Sequence, residues 1–564
     1  MFKRECLLLA VFLFWPFTLW AEQFTFLESQ NITSQLAYWV DTDAAYEARD
    51  AHQLWQQNQG FQPLQKQALT LGLNSPPVWL GVEISNSGNR VVGRHLLLDT
   101  SWLDEVHFYL FHEGQLVDQW MTGDNYPAED RSPQVSGFLM PLQLEPGKTQ
   151  VLVRVETPDP LVIPFYLLDE QQLDHFTLLR LFTYGLAYGY LLALIFYNTA
   201  LYSGIGDRRH LLYAFYLLAF ALANFSYTGH GFSWVWPQAV EWQRWAQPLL
   251  MILFGTMGLW FAVVFLDIRQ KWHGLWLFSL WVVLGCWLLL SFSYLTGNQA
   301  LALQIAFAFM MVFSLLMLSM GIFSVQHGSI SGRFYLTAVI AGILGTLITT
   351  MAVRGWLPFS ELTFRAVEIG MLLEATLLAL ALASRIRRVQ QKQVLAEKAA
   401  NTDTLTRLNN RRALYHWAEH LWKDAFKRRQ SLCVLVLDID HFKTCNDNHG
   451  HGFGDRVLQL ISRLLKESVR KEDMAARWGG EEFIVIFPHT SLENGCQFAE
   501  SFLQLLQEQQ LRSGEEEVKV TASIGLAVGT PEQTQLDDLI QRADEALYQA
   551  KQTGRNRVCC ASGV

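Results

Sequence analysis

Seven long apolar stretches between residues 178 and 386 constrain this chain more than any other feature of its sequence. Each holds roughly 20 predominantly apolar residues, which is the length that a helix needs to cross the hydrocarbon core of a bilayer. Short polar breaks separate the stretches, so the region is predicted to be a bundle of seven membrane-spanning helices. The predicted spans are approximately 181–203, 211–229, 246–266, 275–297, 300–324, 334–353 and 366–384.

The basic residues beside these spans indicate how the bundle is oriented. If the chain starts outside, the inner loops and the segment after the last span hold nine Lys or Arg residues, whereas the outer loops hold three. This asymmetry follows the positive-inside rule, with the N-terminus outside and the C-terminus inside. The inner residues are Arg208, Arg209, Arg269, Lys271, Arg333, Arg385, Arg387, Arg388 and Lys392, and the outer ones are Arg244, Arg354 and Arg365.

Two carboxylic acids, Glu368 and Glu374, interrupt the seventh span. An ionisable group inside a membrane segment is costly and is therefore a functional candidate. The spans contain no ladder of paired charges and no second inverted half, which are typical of secondary transporters. The region is therefore interpreted as a signal-transmitting bundle rather than as a transporter.

The composition agrees with a chain that is part membrane and part soluble. Hydrophobic residues make up 51% of the chain and charged residues 17%, against about 25% charged residues in an ordinary soluble domain. These values exclude a disordered protein and a wholly soluble enzyme. The net charge of −9 gives no electrostatic case for DNA or RNA, so no nucleic acid partner is predicted.

Residues 1–21 have the pattern of a secretory signal peptide. Lys3 and Arg4 precede the apolar stretch Leu7–Trp20, and the small residue Ala21 ends the segment. The alternative is an uncleaved anchor helix, because Leu19 is a poor match to the small residue required three positions before the cleavage site. Both interpretations export the segment that follows.

Residues 22–175 are predicted to form an external β-sandwich sensor domain. Short apolar runs such as Val78–Ile84 alternate with turn-forming clusters rich in Asn, Ser, Gly and Pro, as in a sandwich of short strands. Several aromatic side chains of this domain could stack on a carbohydrate-like ligand, although packing in the core is the alternative use of each. These residues are Trp79, Trp102, Tyr109 and Trp120.

An exported β domain followed by seven helices resembles the bacterial family of seven-transmembrane receptors with diverse intracellular signalling modules (7TMR-DISM). The stretch Trp102–Val106, after Leu96–Leu98, is similar to the extracellular sandwich of that family. The resemblance implies that the chain lies in the inner membrane with its N-terminal domain periplasmic. It also implies that the output activity lies in the last, cytoplasmic domain.

The predicted seven-helix region, 178–386, is followed by a linker, 387–402, that contains no Pro or Gly and is rich in helix-forming residues. Ile386, Val389 and Val394 give it a thin apolar seam. Two interpretations remain open. The linker is either a solvated helical extension of the seventh span or one strand of a short coiled coil between two copies of the chain.

Residues 403–564 contain two acidic clusters at the ends of predicted strands. The strand 431–440 is apolar on both faces and ends with Asp438 and Asp440, which share a face because side chains alternate along a strand. Gly479 and Gly480 predict a tight hairpin after which Glu481 begins the returning strand. If the two strands are neighbours, Asp438 and Glu481 converge and could bind two Mg²⁺ ions. By itself, a Gly-Gly-Glu-Glu segment is more often an ordinary turn.

The local pattern of this region predicts alternating helices and strands. The expected elements are a helix from Asp403, a strand at 431–440, a helix at 454–471, strands on either side of Gly479–Gly480, a helix at 491–511, a strand at 517–528, a helix at 536–552 and a short strand at 556–560.

Several motifs in this region, taken in order, resemble the GGDEF family of diguanylate cyclases, here with the variant GGEEF. They cover nearly all of 403–560 and are Asp403–Arg412, Asp438–Lys443, Asn446–Asp447, Gly450–Asp455, Gly479–Phe483, Thr521–Gly525 and Ala546–Asn556. The resemblance implies a palm-like α/β domain with an antiparallel central sheet and helices. It further implies a homodimeric enzyme that condenses two GTP molecules into cyclic di-GMP and two pyrophosphates, with two Mg²⁺ ions per active site or Mn²⁺ in their place.

The same resemblance implies the roles of the site residues. Asp438, the backbone carbonyl of Ile439 and Glu481 would bind Mg²⁺, and Glu481 would also take the proton of the attacking 3′-hydroxyl group. Lys443 would stabilise charge in the transition state. The remaining substrate contacts would be Asn446 and Asp455 with the guanine edge, His451 between them, Gly479 and Gly480 at the hairpin, and Lys551 and Arg555 with the β- and γ-phosphates. For Lys551 and Arg555, the alternative is a pair of solvated cations at a helix end.

Arg470 and Asp473 match the family's product-inhibition motif, RxxD, at its usual offset from the hairpin. Arg477 would be a secondary contact of that inhibitory site. The alternative for an isolated RxxD is a salt bridge at a helix exit.

A second functional class stays open at this point. The domain could be a catalytically silent receptor that binds GTP or cyclic di-GMP and relays a conformational change. The presence of Asp438, Lys443, Asn446 and Glu481 favours the enzyme.

Overall fold

The computed structural model describes residues 30–127, 135–428, 430–513, 516–530, 532 and 534–561. The predicted signal segment, 1–21, lies outside the described residues. The chain divides into two compact units, Met1–Ile386 and Arg387–Val564.

The first unit begins with a β-sandwich, as the sequence predicts. A six-stranded sheet in the order β2-β1-β4-β9-β6-β7 faces a three-stranded sheet in the order β11-β5-β8, and β3 and β10 form a separate pair. The strands are β1 (Ala37–Val40), β2 (Gln62–Pro63), β3 (Leu69–Thr70), β4 (Val78–Asn86), β5 (Val92–Leu98), β6 (Glu105–His112), β7 (Gln115–Thr122), β8 (Phe138–Leu144), β9 (Gly147–Glu156), β10 (Val162–Ile163) and β11 (Phe165–Leu168). One helix, α1 (Ala48–Gln56), packs against the six-stranded sheet.

The aromatic residues of this domain are mainly packing residues. Trp79 is fully buried in a small cluster with Ala51 of α1. Trp120 stacks against Phe108, with the ring centroids 5.6 Å apart. Trp102 faces the bundle instead of solvent and stacks on Tyr227 at 4.6 Å.

Seven helices follow that are long and apolar enough to cross a membrane, which confirms the predicted bundle. They are α2 (Glu170–Ile205), α3 (Arg208–Tyr227), α5 (Val240–Phe265), α7 (His273–Leu295), α8 (Gln299–Gln326), α9 (Ile330–Val353) and α11 (Ala366–Asn401), with the short helices α4 (His230–Trp234), α6 (Ile268–Lys271) and α10 (Glu361–Phe364) between them. The first starts well before the apolar residues because Asp169 and Gln172 form a capping box at its N-terminus.

The seventh span has no break at its predicted end near residue 384. Helix α11 continues through the predicted linker to Asn401 and is 36 residues long. In the chain alone, the linker is therefore a helical extension of the span.

The second unit contains a six-stranded sheet in the order β12-β14-β15-β13-β18-β19. Its central pairs are antiparallel, whereas the two edge pairs are parallel. All eight residues of the central strand β13 are buried, because helices cover both faces of the sheet. The elements are β12 (Asn409–Asn410), α12 (Arg411–Arg428), β13 (Leu432–Ile439), α13 (Phe442–His449), α14 (His451–Ser468), β14 (Met474–Gly479), β15 (Glu482–Pro488), α15 (Leu492–Gln507), β16 (Leu511–Ser513), β17 (Glu516–Val518), β18 (Ala522–Gly529), α16 (Leu536–Gln552) and β19 (Val558–Cys560).

Two predicted elements of this unit are wrong in detail. No helix begins at Asp403, because its carboxylate accepts hydrogen bonds from the backbone N–H and the hydroxyl of Thr406 and so holds a turn. The helix starts at Arg411 instead. The single strand predicted at 517–528 is two strands, β17 and β18, which pair with different partners.

Gly525 of β18 lies directly under helix α16. A Cβ atom at this position would be 2.1 Å from Ala543 O and 2.2 Å from Leu547 N, both of which belong to the backbone. We expect Gly525→Ala to lower the free energy of unfolding of the second unit by about 3 kcal/mol. Hydrogen exchange of the β18 and α16 amides measures this change. Gly452→Ala, at a position with open space, is the control and should cause no loss of protection.

Candidate active site

Asp438 is the second-last residue of β13 and is 7% exposed. The register of the sheet places it opposite Glu482 of β15 on one side and Ser523 of β18 on the other. The strands 431–440 and 481–487 are therefore neighbours, as the sequence analysis required. The residue directly across from Asp438 is Glu482 rather than Glu481.

The turn of the hairpin that carries Glu481 lies one residue later than expected. Gly479 pairs with Glu482, so Gly480 and Glu481 are the two residues of the turn. Gly480 has a φ of +48°, a conformation that glycine adopts without steric cost. Glu481 thus lies at the tip of the hairpin and does not begin the returning strand.

The carboxylates around this hairpin repel one another. Burial raises the pKa of Asp438, and the charges of Glu481 and Asp440 raise it further. Burial likewise raises the pKa of Glu482, with Asp438 and Asp544 adding to the effect. One cation opposes them, since Lys551 Nζ lies 2.9 Å from Asp438 Oδ1.

This donor set fits Mg²⁺, which prefers one or two carboxylates together with phosphate and water oxygens. No group of three or more His, Cys, Asp or Glu side chains in the described ranges is arranged to hold a metal without other donors. Asp438 and Glu481, with the carbonyl of Ile439, would therefore need substrate phosphates or water to complete the coordination shell.

The carboxylate of Asp440, which follows β13, accepts hydrogen bonds from other residues of the same domain. The donors are Thr521 Oγ1 at 2.9 Å, Ser523 Oγ at 2.7 Å and the backbone N–H of Asn556 at 3.0 Å. It thereby fixes the segment after α16 against the end of β13. The sequence motifs predict no role for Asp440. The hydroxyl residues Thr521 and Ser523, two positions apart, were the available signal.

Lys551 and Arg555 lie at the end of α16 and in the turn after it. Lys551 is paired with Asp438, so it is not a solvated helix-end cation. Arg555 is exposed, and its φ of +60° places it in the left-handed region of the turn that leads to β19. The two side chains are thus in different environments, one inside the acidic cluster and one in solvent.

The side-chain amide oxygen of Asn446, on α13, is buried and receives no hydrogen bond from the described residues. Gly454 of α14 lies so close that a Cβ atom there would be 1.9 Å from this oxygen. The glycine therefore leaves room for Asn446, which can accept an N–H from a ligand. Lys443, His451 and Asp455 are exposed on the same pair of helices.

The RxxD motif forms a turn between α14 and β14. Asp473 Oδ2 accepts a hydrogen bond of 2.7 Å from the backbone N–H of Arg470, which leaves the Arg470 guanidinium out of this contact. Burial raises the pKa of Asp473. Asp473 also lines a groove of about 660 Å³ whose wall includes Lys398, Arg407 and Lys466.

Arg477 connects the hairpin of β14 and β15 to the beginning of the domain. Its Nε and Nη2 donate to the carbonyl oxygen of Gly480 at 3.1 and 2.7 Å, and its Nη1 contacts the Asp403 carboxylate at 3.2 Å. The guanidinium is thus already engaged within the fold. This contact joins residues 74 positions apart, so the local sequence pattern does not predict it.

Three family models match consecutive parts of the chain. Residues 33–169 match the model described as "7TMR-DISM extracellular 2", residues 180–385 match "7TM diverse intracellular signalling", and residues 400–557 match "Diguanylate cyclase, GGDEF domain". The order of the modules is the one expected from the sequence.

Similar proteins and structures match the C-terminal part. Diguanylate cyclase VdcA of Vibrio cholerae is 41% identical over 176 residues, which cover 31% of this chain and 50% of VdcA. Diguanylate cyclase DgcM of Escherichia coli K12 is 39% identical over 165 residues, or 29% of this chain and 39% of DgcM. The coiled coil and GGDEF domain of Caulobacter crescentus DgcB, solved with c-di-GMP, is 31% identical, with a TM-score of 0.31 over 32% of this chain and 95% of that one. The chain spans half or less of the length of these curated relatives.

Proposed function

A GGDEF domain occupies residues 400–557 of this chain, behind a seven-helix module and an extracellular domain of the 7TMR-DISM type, and from this premise we propose that the protein is a membrane-bound diguanylate cyclase. It condenses two GTP molecules into cyclic di-GMP and releases two pyrophosphates. The observation that carries the proposal is the pairing of β13 with β15, which sets Asp438 beside the hairpin of Glu481 and Glu482.

Each domain holds one GTP. The buried Oδ1 of Asn446 accepts an N–H of the guanine edge, and Asp455 accepts a second one, a pattern that favours guanine over adenine. The glycines of the hairpin let the nucleotide approach the backbone closely. Lys551 and Arg555 bind the β- and γ-phosphates.

The reacting groups come from the hairpin and from the end of β13. Glu481, at the tip of the turn, accepts the proton of the 3′-hydroxyl that attacks the α-phosphate of the second GTP. Lys443 stabilises the negative charge that develops on the phosphate. Mg²⁺ held by Asp438, Ile439 O and Glu481 would polarise the phosphate and orient the attack.

Because one domain binds one GTP, catalysis requires two domains that face each other as a homodimer. The mutual orientation of the two half-sites then determines the rate. Helix α11 is continuous from the membrane span to Asn401, which supports a role in setting this orientation in response to an extracytoplasmic signal. The basic residues of the inner loops support an inner-membrane location with this domain in the cytoplasm.

The full-length protein in detergent, incubated with GTP and Mg²⁺ and analysed by ion-exchange chromatography, tests the proposal. We expect cyclic di-GMP and pyrophosphate from GTP and no cyclic dinucleotide from ATP. Bound GTP without turnover, at protein concentrations where the dimer is verified by light scattering, would overturn the enzyme and favour the silent receptor.

Arg477 offers a test of hairpin positioning. Arg477→Ala removes both N–H groups from the Gly480 carbonyl and frees Asp403. We expect the turnover rate to fall about 10- to 100-fold, because displacement of a reacting group by about 1 Å has effects of this size. GTP affinity, measured by isothermal titration, should change little. Arg412→Ala, at an exposed arginine of α12, is the matched control and should keep full activity.

The proposed role of Arg470 in product inhibition can be tested by a substitution that leaves the fold intact. Since Asp473 bonds to the backbone of Arg470, Arg470→Ala leaves this turn intact. We expect cyclic di-GMP to inhibit the variant at least about 10-fold more weakly, because an arginine that binds a phosphate or guanine in two places is lost. The inhibition curve of Lys471→Ala should match that of the wild type. An unchanged curve for Arg470→Ala would make the motif a structural turn.

A further inference from the structure

Three basic side chains at the cytoplasmic ends of the spans have no acidic partner. Because the N-terminal domain is extracellular, the connection between α2 and α3 and the connection between α5 and α7 lie on the cytoplasmic side. Arg208 at the start of α3, and Arg269 and Lys271 of the short helix α6, are exposed there. None of the three forms an ion pair with a carboxylate in the part of the chain that the structure describes. Their charges are therefore available to a ligand outside the protein.

An ion pair brings these two connections together. Arg209 Nη2 donates to Asp267 Oδ1 at 2.7 Å, and Arg209 Nη1 donates to Asp207 Oδ1 at 3.2 Å. Both aspartates are thus engaged by Arg209. The residues beside this ion pair, which include Arg208 and Arg269, belong to the same region of the surface.

The length of the connections fixes the depth of this region. Only residues 206 and 207 separate α2 from α3, and residues 266–272 separate α5 from α7. Connections this short hold α6 and the start of α3 at the membrane surface, at the level of the lipid headgroups. Trp276 in the first turn of α7 agrees with this depth, since tryptophan is enriched at membrane interfaces.

The contacts of the three cations leave donors for an anion. The guanidinium of Arg269 lies 4.9 Å from the centroid of the Trp276 ring, an arrangement that leaves the N–H groups in its plane free for a phosphate. Lys271 Nζ donates to the carbonyl oxygen of Leu266 at 3.4 Å, which uses one of its three N–H groups. Arg208 begins α3, where the positive end of the helix dipole disfavours a cation, and the first turn of α3 contains no acidic residue.

We propose that Arg208, Arg269 and Lys271 bind the headgroup phosphate of an anionic phospholipid in the cytoplasmic leaflet. Basic residues beside a membrane span are attracted to anionic lipids, and an arginine can bind a phosphate through two parallel hydrogen bonds. Phosphatidylglycerol carries a net negative charge, whereas the choline group of phosphatidylcholine brings a positive charge to a surface that is already positive. The site therefore selects the anionic lipid.

The bound lipid would act on the point where the last helix leaves the membrane. Asp267, which directly precedes α6, also lies 3.8 Å from Arg385 of α11. Its φ of +57° places it in the left-handed region, which is unfavourable for a residue other than glycine. A lipid phosphate on α6 would stabilise this turn and, through it, the contact with α11. This inference does not depend on the proposed cyclase activity.

Thermal unfolding of the full-length protein in micelles of a neutral detergent tests the inference without GTP. We expect phosphatidylglycerol to raise the melting temperature by about 3–6 °C and an equal mole fraction of phosphatidylcholine to leave it unchanged. Combining Arg269→Gln with Lys271→Gln should remove most of the rise. Arg333→Gln, at an exposed arginine of α9 on the same side of the membrane, is the matched control and should keep the full rise.

Native mass spectrometry gives a second measurement that does not rest on stability. From micelles that contain both lipids, the ratio of bound phosphatidylglycerol to bound phosphatidylcholine should be at least about 10-fold lower for the double variant than for the wild type. The Arg333→Gln ratio should match that of the wild type.

Three results would overturn the proposal. Equal effects of the two lipids would show that the surface does not select an anionic headgroup. An Arg333→Gln variant that responds like the double variant would show a diffuse attraction to negative charge instead of a site. Glycerol phosphate, which has the anion without acyl chains, should cause no rise, and an equal rise would identify a site for free phosphate esters rather than for a lipid.

Discussion

The Glu481→Gln variant is expected to form cyclic di-GMP about 10²- to 10⁴-fold more slowly than the wild type, the range for loss of a general base. Glutamine keeps the size of the side chain but accepts no proton, and it removes one carboxylate from the proposed metal ligands. Because Glu481 lies at the tip of a two-residue turn and outside the strand register, its replacement should not disturb the sheet. The rate is measured by chromatography of the products at saturating GTP.

The affinity of the Glu481→Gln variant for GTP distinguishes a chemical role of Glu481 from a structural one. The guanine contacts proposed for Asn446 and Asp455 lie on α13 and α14, so the variant should still bind GTP within a few-fold of the wild type. Glu493→Gln, at an exposed position in the first turn of α15, is the matched control with full activity. Turnover by Glu481→Gln within 10-fold of the wild type would remove this residue from the mechanism.

The second large effect is expected at the junction of the sensor domain and the bundle. Arg180 of α2 forms a two-pronged ion pair with Asp99 of the β-sandwich and contacts Glu361 of α10 at 3.1 Å. The three side chains are 15, 6 and 7% exposed. Arg180→Ala leaves the buried carboxylate of Asp99 without its cation and leaves Glu361 with only Arg365, at 3.8 Å. Removal of one partner of a buried ion pair typically costs about 3–5 kcal/mol. We expect a corresponding fall in the melting temperature of the full-length protein.

Two further variants define the cause of that loss. Lys148→Ala breaks an exposed ion pair with Glu83 and should cost less than about 1 kcal/mol. Combining Arg180→Met with Asp99→Asn and Glu361→Gln removes the stranded charges and should recover most of the stability. If Arg180→Ala melts like Lys148→Ala, the buried network does not hold the sensor domain to the bundle.

The sequence predicted the parts of this protein that depend on local pattern. Seven apolar stretches specify seven spans, and the two glycines before Glu481 specify a hairpin, since length, hydropathy and φ are properties of neighbouring residues. The exact turn was missed because Gly479 is drawn into the ladder opposite Glu482, a detail that the pairing of two strands decides.

Contacts between distant residues could not be predicted in this way. Asp99 follows β5, Arg180 lies on α2 and Glu361 begins α10, so the contacts among them join residues 81 and 181 positions apart. The roles of Asp403 and Asp440 were missed for the same reason. Arg477 reaches Asp403, and Ser523 and the backbone of Asn556 reach Asp440, only when the sheet has formed.

The ion pair between Lys551 and Asp438 has a consequence for how the proposed site fills. Lys551 neutralises the carboxylate of Asp438 and therefore competes with any metal ion for that carboxylate. A metal ion that binds alone would have to separate Lys551 from Asp438 and would leave the lysine without an anionic partner. A metal ion that binds together with a triphosphate would supply such a partner. We therefore expect the proposed site to bind the metal–nucleotide complex in preference to the free metal ion.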